Sequence, residues 1–193
     1  MTARPQRRDW LAALGGLLVA GSASAAEAPP HEPFGPVLPR LAAPRLRLTD
    51  DSGRPGEWPA LMKGRRTAVQ LMFTGCSATC PIQGALFAEL AARVHDPGVQ
   101  LLSLSIDPLN DTPAALRAWL AKFGSAAGWR AAVPDRRDAD RLVDFLKGRA
   151  PGVDRHTAQV YLFDRNARLA YRTEDMPAPA RVAELLALLA RAG

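Results

Sequence analysis

Residues 67–94 read TAVQLMFTGCSATCPIQGALFAELAARV, and a change of pattern within them decides the fold. Residues 67–73 form a β-rich apolar run. In residues 80–94, Leu86, Leu90 and Val94 recur at helical spacing behind Pro81, a natural first helical residue. A strand therefore runs into a helix, with Cys76 and Cys80 at the junction. In open α/β sheets this is the end at which ligands bind.

Working outward, residues 45–49 alternate polar and apolar, and residues 50–53 have turn chemistry. Residues 99–106 (VQLLSLSI) predict a buried strand, and Asp111 or Thr112 before Pro113 caps a helix running to about Phe123. A helix over 138–146, a hairpin joining 158–163 to 168–171, and an amphipathic helix over 179–191 complete the pattern. This order implies an α/β fold, a central mixed sheet flanked by helices on both faces.

Upstream, residues 1–26 carry Arg4, Arg7 and Arg8 ahead of an apolar run from Trp10 to Ala20, then small residues. That is the pattern of a secretory signal peptide, with cleavage expected after Ala25 or Ala26. The apolar run is shorter than the ~20 residues that span a bilayer; left uncleaved, it would act as an N-terminal anchor and the chain's one membrane attachment. Residues 27–44 are rich in proline and read as an extended tether, so the folded domain is expected over 45–193. The expected location is periplasmic or otherwise extracytoplasmic.

With 48% hydrophobic and 23% charged residues the chain is globular rather than disordered. Its formal charge of +6 falls to +4 when the signal takes away three arginines and one aspartate. The remaining arginines are scattered and aromatic platforms are few, which argues against a nucleic-acid partner.

The chain has two cysteines and three histidines. In an oxidising compartment a cysteine pair conventionally forms a structural disulfide. Cys76 and Cys80, however, are spaced so that a helical turn puts both on one side, facing a common atom. Thiolates select soft ions such as Cu(I) or zinc, and an added imidazole also suits Cu(II). His31 falls in the tether and His95 at the end of the first helix. His156 follows the glycine- and proline-containing stretch 148–152 and enters a late strand.

The segments FTGCSATCP, LSIDPLNDTPAALRAWLAKFG and RHTAQVYLFDRNARLAYR resemble, in order, three signatures of the Sco/SenC copper proteins. The resemblance implies a thioredoxin-like fold and copper ligation by Cys76, Cys80 and His156. It also implies delivery of copper to the copper A centre in the copper-binding subunit of a respiratory oxidase. Thiol reductants and other copper carriers would then be further partners. Ser77-Ala78-Thr79 stands where the family usually carries Pro-Asp-x, and Arg155 where Asp is common. Both changes remove negative charge near the expected site. Asp107, at a strand end, reads equally as a hydrogen-bond acceptor behind the ligands or as turn chemistry. The alternative function is thiol–disulfide reduction, keeping the oxidase's copper-ligand cysteines reduced with Cys76 and Cys80 as the redox pair. Oxidoreductases of this fold usually space their cysteines one residue closer.

Overall fold

The computed structural model describes residues 34–152 and 155–191, which belong to one unit. The expected signal segment lies outside them. In chain order the elements are β1 (Gly35–Ala42), β2 (Arg47–Asp50), β3 (Pro55–Glu57), α1 (Trp58–Met62), β4 (Arg66–Met72) and α2 (Thr79–Arg93). There follow β5 (Val99–Ser105), α3 (Pro113–Ala121), β6 (Trp129–Pro134), α4 (Ala139–Leu146), β7 (Gln159–Phe163), β8 (Arg168–Asp175) and α5 (Pro179–Arg191).

The eight strands form one sheet in the order β1-β8-β7-β4-β5-β6-β2-β3. β4 pairs parallel with β5, and β5 with β6, while all other pairings are antiparallel. Every residue of β4, β5 and β7 is buried, as expected of central strands covered on both faces. The period-2 rule then sorts their side chains. Val69, Leu71, Tyr161 and Phe163 join the core beneath α1 and α4. Ala68, Met72, Val160 and Leu162 join the core beneath α2, α3 and α5. The α/β mixed sheet with helices on both faces is the expected fold.

One expectation is corrected. The tether ends early: Gly35–Ala42 pairs antiparallel with β8, so the folded unit begins well before Arg45. Pro36 and Pro39 are tolerated because β1 is an edge strand, and the register shifts between Pro36 and Leu41. β6 was not anticipated, since Trp-Arg-Ala-Ala-Val-Pro has little β-branched content. It is a strand because small, fully buried Ala131 and Ala132 fit the position beside β5. Near the start of α2, a Cβ on Gly84 would lie 2.2 Å from Phe123 Cζ, so glycine is what seats that ring on the helix.

The turn between β2 and β3 is built on Asp50. Its carboxylate accepts from the Ser52 amide (2.9 Å) and hydroxyl (2.6 Å), the Arg54 amide (3.0 Å) and Arg130 Nη2 (2.6 Å). Burial alone would raise its pKa, but the bonds from Ser52, Arg54 and Arg130 outweigh it and hold the value at about 2. Because the folded pKa lies below the unfolded one, this stabilisation is complete above about pH 4 and is lost as pH falls through about 2. Asp50→Asn is expected to cost about 2 kcal/mol at neutral pH. Urea titrations of both proteins should show the gap closing on acidification; a gap independent of pH would contradict the linkage.

Candidate metal centre

After β4 the chain turns through Thr74 and Gly75 into α2. The Cys76 amide donates to the Phe73 carbonyl (3.1 Å), and the Cys80 amide donates to Cys76 Sγ (3.3 Å). The N-cap residue, Ala78, has no side-chain acceptor. The Cys76 sulfur thus satisfies a helix-start amide that would otherwise lack an intrahelical partner. Cys76 is half-buried, Cys80 is fully buried, and both are thiols.

His156 reaches this point from the far end of the sequence. Its Nε2 lies 3.7 Å from Cys80 Sγ, and its Nδ1 lies 2.8 Å from the Thr157 carbonyl oxygen. A carbonyl can only accept, so Nδ1 carries a proton, and Nε2 is the ring nitrogen that faces the sulfur. The ring is buried and packs edge-on against Phe73 at 6.3 Å between centroids. Thr157 is held in turn: its amide donates to the Gly148 carbonyl (2.9 Å), and its hydroxyl bonds the Tyr161 hydroxyl (2.7 Å). A Cβ at position 148 would fall 2.6 Å from Leu71 and 2.7 Å from the Tyr161 oxygen, so only glycine allows this approach.

The acidic residue tied to the cysteine turn is Asp111, whereas Asp107 takes the turn role that was one of its two expected readings. The buried Asp111 carboxylate accepts from the Thr74 amide (3.2 Å) and hydroxyl, and from the Ser105 hydroxyl (2.6 Å). It joins the turns that follow β4 and β5. Asp107 is occupied in its own turn, accepting from the Asn110 side chain (2.8 Å) and, through its carbonyl, from the Asp111 amide (2.9 Å). The sequence signal for Asp111 was present, one residue before the Thr112 cap, but it pointed only to helix initiation.

Of the other histidines, His31 lies outside the described residues. His95 is exposed beyond the C-terminal end of α2. Met62 and Met72 are core residues with no exposure. A cleft of about 730 Å³ bordered by Pro108, Val133, Arg136 and Arg137 contains neither cysteine nor His156.

The sulfur and nitrogen of Cys80 and His156, 3.7 Å apart, lie within the ~4 Å that two bonds to one first-row ion span. Two thiols and a neutral imidazole are a donor set for a soft or borderline ion. Among the described residues, no three Cys, His, Asp or Glu side chains form a finished metal cage.

These features define a thioredoxin-like α/β protein with a cysteine pair at a strand-to-helix turn and a histidine delivered to it from a late loop. The SCO1/SenC family model matches residues 40–191, and the chain belongs to that family. A SCO1/SenC family lipoprotein from Bacillus anthracis superposes with a TM-score of 0.69 at 23% identity, over 80% of this chain and 97% of that one. Bradyrhizobium japonicum ScoI, solved with copper bound, gives a TM-score of 0.64 at 23% identity over 77% and 99%. These likenesses are of fold. A Stutzerimonas stutzeri protein, provisionally described as copper-binding, is 34% identical over 92 residues, spanning 45% of this chain and 44% of that relative. The chain thus aligns with less than half the length of this curated relative.

Proposed function

We propose that this protein binds one copper ion through Cys76, Cys80 and His156 outside the cytoplasm and passes it to the copper-binding subunit of a respiratory oxidase. The observation that carries the reading is the buried Cys80–His156 pair, with Nε2 3.7 Å from the sulfur. Family membership and the copper-bound relative support it. The extracytoplasmic setting is supported by the N-terminal sequence and by the lipoprotein relative. No described helix is long and apolar enough to cross a membrane.

The cysteines hold Cu(I), for which thiolates are the preferred donors, and the imidazole completes the set and suits Cu(II). Because His156 sits on a loop rather than a regular strand, its release opens the site to an incoming ligand. His156→Ala is therefore expected to retain part of the Cu(I) binding and to lose about tenfold or more in Cu(II) affinity. Anaerobic titration with each ion, recording thiolate-to-copper absorption, tests this. Equal affinity in wild type and variant for both ions would overturn the ligand assignment.

Transfer is tested by mixing copper-loaded protein with the reduced copper-site domain of the oxidase and following copper after separation. If copper stays behind while the metal-free dithiol reduces a disulfide in that domain, itself becoming the Cys76–Cys80 disulfide, the chain is a thiol reductase. On that reading His156→Ala leaves the reduction rate unchanged.

A further inference from the structure

We infer that Arg155 sets the oxidation-state preference of the site, biasing it toward Cu(I) over Cu(II); this rests on the copper-binding reading above. Arg155 immediately precedes His156, and its guanidinium carbon lies 5.6 Å from the centroid of the Phe73 ring. Phe73 is the same ring that packs edge-on against the His156 imidazole. Arg155 has a φ of 58°, in the left-handed region, which a residue other than glycine keeps only when its surroundings hold it there. The stack on Phe73 is such a hold. A permanent positive charge is thereby held on the aromatic ring that packs against His156.

Moving from Cu(I) to Cu(II) adds one positive charge at the ligands, so Arg155 opposes Cu(II) more than Cu(I). Asp107 and Asp111, on the turn after β5, contribute equally whether residue 155 is charged or neutral. With the guanidinium carbon 5.6 Å from the Phe73 centroid and that centroid 6.3 Å from the His156 ring, the charge lies no more than about 12 Å from the imidazole; at that distance and an effective dielectric constant between about 20 and 80, Arg155 disfavours Cu(II) relative to Cu(I) by about twofold to tenfold. The guanidinium is exposed, which places the expected value near the lower middle of that range.

The test uses Arg155→Gln, which removes the charge, beside Arg155→Lys, which keeps it. Cu(I) and Cu(II) affinities are measured by competition with chelators specific for each ion. In Arg155→Gln the ratio of Cu(II) to Cu(I) affinity is expected to rise about fivefold, equivalent to a fall of about 40 mV in the potential of the bound copper. Arg155→Lys should stay within about twofold of wild type. An unchanged ratio in Arg155→Gln, or a lysine variant that moves with it, overturns the role of the charge while leaving the copper site intact. Wild-type protein that retains neither ion fails the copper reading itself.

Discussion

Cys80→Ala is expected to abolish tight copper binding while leaving the fold in place. Cys80 is fully buried at the start of α2 and is the sulfur in contact range of His156. Without it the remaining donors are one half-buried thiol and one imidazole. Spreading the roughly 10–16 kcal/mol of a four-ligand thiolate and imidazole site over its ligands gives about 2.5–4 kcal/mol each. The expected fall in Cu(I) affinity is therefore about a hundredfold to several hundredfold. Cys76→Ala should lose copper to a similar degree and should also cost about 1 kcal/mol in stability, because the Cys80 amide loses the sulfur that accepts from it. Competition with a Cu(I) chelator measures the first effect and urea unfolding the second. Either variant retaining one copper at wild-type affinity would remove that cysteine from the ligand set.

Asp111→Ala is expected to be the most destabilising change near the site, although Asp111 is not itself a ligand. Its carboxylate accepts from the Thr74 amide and hydroxyl and from the Ser105 hydroxyl, so truncation leaves three donors short of a partner. Each such loss costs about 1–3 kcal/mol where water cannot replace the bond, and partial rehydration of the turn puts the total at about 3 kcal/mol. Loosening the turn that carries Cys76 should also lower Cu(I) affinity by about tenfold, the scale at which residues behind metal ligands act. Asp111→Asn keeps acceptor oxygen and should recover part of both losses. Asp107→Ala, which removes one bond to Asn110, should stay within about 1 kcal/mol of wild type and leave copper affinity unchanged. Chemical denaturation and chelator competition on the three variants decide the matter. Equal effects at Asp107 and Asp111 would deny Asp111 its special place.

The contrast between these two aspartates shows where sequence reading stops. Both stand in the turn after β5, both suit a turn or a cap, and local pattern cannot rank them. What separates them is a contact with Thr74, 37 residues away. The same limit applied to β1 and β6. Prolines obscured one and alanines the other, because each is a strand through its place in the sheet rather than through its own propensity. By contrast, α2, α3, α4 and α5 were legible within a few residues. Their starts carry proline or capping chemistry and their apolar residues recur at helical spacing, as in the Thr112 hydroxyl that accepts from the Ala115 amide.

By itself, then, the sequence determined the alternation of strands and helices and the position of Cys76 and Cys80 at a strand-to-helix turn. These follow from periodicity and turn chemistry acting over a handful of neighbouring residues. The resemblance to the Sco/SenC signatures singled out His156, but only the tertiary structure decided that its ring reaches Cys80, which aspartate braces the cysteine turn, and which face of each strand lies under which helices. The Cys80–His156 contact joins positions 76 residues apart. It depends on the close approach of Gly148 to Leu71 and Tyr161 and on the bonds that seat Thr157. Such contacts are set by how packed elements bring distant segments together, which no local pattern encodes.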